Sequence, residues 1–149
     1  MSGPLSGIKV LDLTRVLAGP YTTMILADLG AEVIKVERPR EGDIGRRNGP
    51  FMDGVSSYFL GLNRGKKSAT VDLATEGGRE LILHLARSCD ILVENFVPGD
   101  MKRFGLSYDE ISQHNPAIIY ASCSGFGQTG PLTSKPALDI VVQAMAGIM

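Results

Sequence analysis

Short runs rich in valine and isoleucine alternate along this chain with longer segments whose apolar residues recur every three or four positions. This alternation constrains the fold more than any other feature, because it is the pattern of βαβ units that build a parallel sheet covered by helices. At 149 residues the chain has the length of one domain with a substantial core. A first strand is expected over Ile8–Leu13. A helix over Ala18–Leu29 follows, with Pro20 near its start, Gly30 past its end, and Met24, Ile25 and Leu29 turned to the sheet. Glu32–Glu37 reads as a second strand. The Gly/Pro/Arg-rich stretch Arg38–Gly54 has no periodicity and reads as a long functional loop.

Further along, a short helix is expected over Ser56–Leu62 and a strand over Ser68–Leu73, with Ala69, Val71 and Leu73 on one side. A helix over Glu76–Ser88 takes Thr75 as its N-cap and presents Leu81, Ile82, Leu85 and Cys89 at helical spacing. A strand over Asp90–Glu94 closes the next unit. Ser107 and Glu110 form the two ends of a capping box, opening a helix that must stop before Pro116. Ile118–Ser124 is the last strand, and Leu138–Met149 carries Ile140, Val141, Ala144, Met145 and Ile148 on a helical face. No glycine cap, basic last turn or following proline ends that face, which leaves two readings: a fraying terminal helix or a cut inside a longer structural unit.

Composition narrows the function classes. The hydrophobic share of 44% and charged share of 21% exclude a disordered chain, and the 18 glycines have no three-residue period that would suggest a fibre. The net charge of −1 excludes a general nucleic-acid surface. Its distribution is uneven. Residues 35–67 hold Lys35, Arg38, Arg40, Arg46, Arg47, Arg64, Lys66 and Lys67 against Glu37, Glu41, Asp43 and Asp53, a window of +4 in a chain that is otherwise −5. Two distant cysteines, Cys89 and Cys123, provide no disulfide framework, and Met1–Lys9 lacks the basic start and apolar run of a signal peptide. A cytoplasmic location is expected. The uncharged stretch Asn115–Ser134 is broken by Pro116, Gly125, Gly127, Gly130 and Pro131, so no membrane span is expected.

Ligands of open α/β sheets bind beyond the carboxyl ends of the strands, and three such places carry suitable groups. Thr14–Pro20 after the first strand is small and tight, so backbone N–H groups at a helix start can approach a phosphate there. It is neither the G-x-G-x-x-G of a dinucleotide fold nor a P-loop. Arg38 follows the second strand where a guanidinium can grip a nucleotide phosphate, and Asn63–Lys67 brings three more cations to a loop. The bland reading of both is a solvated surface, but the local +4 favours an anionic ligand. Glu94–Gly99 places an amide beside an aromatic, suited to a base or a pantetheine amide, although Pro98-Gly99 alone signals a turn. His84 and His114 read as structural, no metal set is expected, and no Gly-x-Ser-x-Gly elbow is present.

Four of these segments, Gly7–Pro20, Asp28–Glu37, Val93–Phe96 and Gly125–Pro131, in this order and spacing, resemble the family III CoA-transferases, also called the carnitine dehydratase and bile-acid-inducible protein F family. The resemblance runs across essentially the whole chain and implies the N-terminal portion of a longer enzyme. The fold implied is α/β, a Rossmann-like parallel sheet flanked by helices, with residues 1–149 as one CoA-binding domain. The activity implied is transfer of CoA from an acyl-CoA to a small carboxylic acid, with coenzyme A as substrate, no metal, and an interlocked homodimer. Carried over by position, Arg15 and Ala18 flank the CoA and Arg38 meets its adenosine phosphate end. Lys66 is a second phosphate partner; Asn95, Phe96 and Arg103 line the nucleotide and pantetheine path. The aspartyl nucleophile of the family is expected beyond this chain, and Asp139 belongs to an earlier helix-start motif. A racemase branch has a histidine where this chain has Leu138, which weighs against racemisation. A CoA-binding module without activity is the alternative from another class.

Overall fold

The computed structural model describes residues 3–149. The elements run β1 (Lys9–Asp12), α1 (Ala18–Asp28), β2 (Glu32–Glu37), a 3₁₀ turn (Ile44–Arg47), β3 (Phe51–Met52), β4 (Val55–Ser56), α2 (Ser57–Asn63), β5 (Lys67–Thr70), α3 (Glu76–Ala86), β6 (Ile91–Glu94), α4 (Asp100–Arg103), α5 (Tyr108–His114), β7 (Ile119–Ser122) and α6 (Asp139–Met145). Five strands form one sheet in the order β5-β2-β1-β6-β7, and every pair is parallel. The expected Rossmann-like α/β architecture is present. Because successive side chains point to opposite faces, β1 and β6 feed two cores. Leu11 and Leu92 pack with Ile82, Ala86, Leu106 and Ile111 on the face covered by α3 and α5. Val10 and Val93 pack with Val33 and Ala31 on the face of α1.

Local signals set several boundaries. The Thr75 side chain accepts from Gly78 N–H and starts α3, and the Ser107/Glu110 capping box starts α5. Helix phases differ from expectation in two places. On α1 the buried positions are Gly19, Pro20, Thr23 and Met24, whereas Ile25 and Leu29 are exposed. The helix start lies close on the loop that leaves β1, where a Cβ on Gly19 would come within 2.4 Å of Thr14, so small residues share the inward face with Met24. On α3 the row Gly78, Ile82, Ala86 faces the core at four-residue spacing, which leaves Leu81 exposed at the flank.

The stretch Arg38–Gly54 is not one irregular loop. It contains the 3₁₀ turn and the first strand of the β3–β4 hairpin, whose Asp53-Gly54 connection has φ of 50° and 78° at its two positions. Positive φ at both is what a two-residue hairpin favours, and Asp-Gly is its signature. Helix α4 was also absent from the sequence expectation. At the other end, α6 forms but buries no residue, with Ile140 61% and Met145 59% exposed. No helix among the described residues is long and apolar enough to cross a membrane.

Candidate functional site

The strand order reverses at β1, with β2 on one side and β6 on the other. Loops leaving the carboxyl ends of β1 and β6 therefore diverge and open a crevice between them. Asn95, the first residue after β6, spans that crevice: its Nδ2 donates to the Arg15 carbonyl at 2.7 Å and its Oδ1 accepts from the Arg15 N–H at 2.8 Å. The Arg15 guanidinium lies 4.2 Å over the Phe96 ring. Phe96 in turn meets Phe104 edge to face at 5.7 Å.

Beside this stack a cavity of about 280 Å³ has Leu13, Val36 and Val71 as its apolar floor and Arg15, Arg38 and Arg103 at its rim. The Arg38 and Arg103 side chains are 73% and 70% exposed; Arg38 meets the Glu41 carboxylate at 3.4 Å, and Arg103 meets that of Asp100 at 3.0 Å and lies 5.3 Å from the centre of the Phe104 ring. Pairs so exposed are weak, so an incoming phosphate, with more charge and more acceptor oxygens, can take either guanidinium. A space of this size suits one end of an extended ligand.

Beneath the rim lies a layer of buried charge. Asp12 is fully buried, and its carboxylate accepts from Thr23 Oγ1 at 2.6 Å and Lys66 Nζ at 3.1 Å. Lys66 Nζ also donates to the Pro20 carbonyl at 2.9 Å, Thr23 Oγ1 at 2.8 Å and Asn63 Oδ1 at 2.9 Å. Burial pulls the Lys66 ammonium below its ordinary value despite the opposing pull of Asp12. Lys35 Nζ meets Asp43 Oδ2 at 2.8 Å. Glu37 accepts from Arg46 Nε at 2.6 Å and Nη2 at 2.7 Å, from Ser68 Oγ at 2.7 Å and from the Asp43 N–H at 2.9 Å. Burial pushes the Glu37 carboxyl up, but these donors outweigh it and hold it at about 2. Arg46 stacks over Phe59 at 3.7 Å, and its bond to Glu37 raises it further.

Arg15, Arg38, Phe96 and Arg103 are thus brought to one cavity. Asn95 fixes the backbone of Arg15, and Ala18 opens α1 as an exposed residue outside the cavity lining. Lys66 stands apart, its side chain 1% exposed and its ammonium committed to the four partners above. The basic window also differs from the sequence expectation of a free cationic cluster. Arg64 pairs with Asp28 and Lys67 with Glu32, acids outside the window that folding lays against it, as Asp12 is laid against Lys66. His84 is exposed, and His114 Nδ1 lies 3.3 Å from Arg87 Nη2. Leu138 is the exposed N-cap residue of α6. Among the described residues no three His, Cys, Asp or Glu side chains converge as metal ligands. Sequence reasoning missed Asp12, Lys35, Glu37 and Asp43. For Asp12, Lys35 and Glu37 the available signal was a charged residue inside a strand buried on both faces, since such residues enter these places only with a partner; Asp43, at the start of the 3₁₀ turn, had no such signal.

The profile of the family described as CoA-transferase family III matches residues 5–149. The chain is 53% identical over 147 residues to an acetyl-CoA:oxalate CoA-transferase of Acetobacter aceti, covering 99% of this chain and 38% of that protein. It is 52% identical over 147 residues to the succinyl-CoA:glutarate CoA-transferase of Homo sapiens, covering 98% of this chain and 34% of that protein. The chain thus spans little more than a third of the length of these relatives. A crystal structure of a CAIB/BAIF family protein from Brucella suis superposes with a TM-score of 0.93 at 45% identity, over 100% of this chain and 40% of that one.

Proposed function

The chain belongs to CoA-transferase family III, and from that premise we propose that it forms the CoA-binding part of an enzyme that moves CoA from an acyl-CoA to a carboxylic acid. The observation that carries this reading is the convergence of Arg15, Arg38 and Arg103 on one cavity beside the point where the strand order reverses. Arg38 and Arg103 receive the phosphates of CoA, and Phe96 with its stacked Arg15 forms the wall along which the nucleotide and pantetheine run. Asn95, Ala18 and Lys66 shape the receiving loop: Asn95 through the Arg15 backbone, Ala18 by its small side chain at the start of α1, and Lys66 through the Pro20 carbonyl. The relatives act on short carboxylic acids by name, and a similar acid is the proposed acceptor.

Transfer then proceeds through an aspartate beyond these residues. Its carboxylate attacks the acyl carbonyl and expels the CoA thiolate, giving a mixed anhydride. The thiolate attacks the aspartyl carbonyl and releases the donor acid. The acceptor carboxylate attacks the resulting aspartyl thioester, and the thiolate, attacking the new anhydride, leaves with the acceptor and restores the aspartate. Two observations support a nucleophile elsewhere. Of the cavity acids, Glu37 and Asp43 are already bound to Arg46 and Lys35 and Asp72 accepts from the Ala74 N–H, and the chain spans 38% of the Acetobacter aceti relative. An interlocked homodimer in the cytoplasm completes the proposal.

Calorimetric titration of the full-length protein with CoA tests the site. Arg38→Ala and Arg103→Ala are each expected to weaken binding about 10- to 100-fold, the worth of one charge-assisted contact. Unchanged affinity in both variants sinks the assignment.

A further inference from the structure

Thr14, Arg15 and Val16 follow β1 without regular secondary structure, yet side chains from other segments hold their backbone. The Thr14 carbonyl accepts from Lys35 Nζ at 2.8 Å. The Asn95 amide takes both polar groups of Arg15, and the Val16 N–H donates to Asp43 Oδ1 at 3.1 Å. Lys35 and Asp43 are also joined to one another, with side chains only 1% and 2% exposed. A single buried ion pair therefore grips the carbonyl before Arg15 and the N–H after it. Between these grips Val16 has φ of 70°. A β-branched residue takes that conformation only where its surroundings impose it. Asp43 ties in the neighbouring loop as well, accepting from the Gly45 N–H at 2.8 Å and donating its own N–H to Glu37.

A buried pair adds little net stability over apolar side chains of similar volume, so its distinctive product here is geometry. We infer that Lys35 and Asp43 are positioning residues that set the Thr14–Val16 backbone against the loop beginning at Arg38, so that Arg15 and Arg38 face the same cavity. Neither residue has to touch the ligand; both act through those two arginines. The inference rests on the reading of that cavity as the CoA site.

The test uses the full-length protein in two variants, Asp43→Ala and the double variant Lys35→Met/Asp43→Leu, which removes both grips without leaving an unpaired buried charge. In each, amide hydrogen exchange of Arg15 and Val16 is expected to speed up at least about tenfold while the β1 amides of Val10 and Leu11 keep their protection. The dissociation constant for CoA is expected to rise about tenfold, with KM for the acyl-CoA following it and kcat within about twofold. The double variant, with no unpaired buried charge, is expected to keep the fold even if Asp43→Ala does not. Faster exchange with unchanged CoA affinity overturns the inference, as does unchanged exchange at Arg15 and Val16, or a double variant that regains full affinity. A wild-type protein that fails to bind CoA refutes the site itself, a result distinct from each of these.

Discussion

Replacing Glu37 by Gln removes the charge from a carboxylate that accepts four hydrogen bonds while keeping its shape. The carboxyl ordinarily titrates at 4.5 and is held here at about 2, chiefly by Arg46 and Ser68 against the opposing effect of burial. That gap corresponds to about 3–4 kcal/mol, at about 1.4 kcal/mol per pH unit. It is an upper figure, because the Arg46 side chain is 42% exposed and regains water when its partner is lost. The sign follows from the direction. A depressed carboxyl stabilises the folded state fully above its unfolded value of 4.5, and the contribution disappears as the pH falls towards 2. Urea unfolding of wild type and Glu37→Gln across this range isolates the effect, since all other titrating groups are shared. The expected stability difference is about 2–3 kcal/mol at pH 7, shrinking steadily below pH 4.5. A difference that stays constant from pH 7 to pH 3, or none at pH 7, refutes the reasoning.

Other perturbations have equally definite outcomes. Lys66→Met strands the Asp12 carboxylate, fully buried between β1 and α1, and is expected to lower stability by about 3–5 kcal/mol in denaturant titration. Phe96→Ala removes a ring that is 8% exposed and supports both Arg15 and Phe104; a loss of about 3–5 kcal/mol is expected, with weaker CoA binding by calorimetry. Thiol labelling at pH 8 is expected to modify exposed Cys123 well before Cys89, whose thiol burial hides and pushes up. Equal rates would mean that the core around Cys89 opens readily.

Elements with strong local signals were legible in the chain itself. Glu32–Glu37 is a strand at the expected bounds, α3 starts at the expected Thr75 cap, and the Ser107/Glu110 box opens α5. These depend on interactions within a few residues, which a sequence displays directly. The hairpin at Asp53-Gly54 was equally legible but was lost in a stretch read only for periodicity. The inward faces of α1 and α3 were less so. Which side of a helix is covered depends on how closely its neighbour approaches, and Gly19 and Gly78 permit approaches that no apolar count reveals.

By itself the sequence determined the order of strands and helices, and it put Arg15, Arg38 and the Asn95-Phe96 pair just beyond strand ends. In a parallel sheet those ends all open on one edge, so the general place of the site followed from order alone. Only the tertiary structure decided which charges serve a ligand and which serve the fold. Arg38 and Lys66 look alike as members of one basic window, yet one remains at the rim and the other is 1% exposed against Asp12, 54 positions away. A charge withdrawn from water needs an opposite partner at contact distance, and strands distant in sequence supply that partner only once the sheet has assembled.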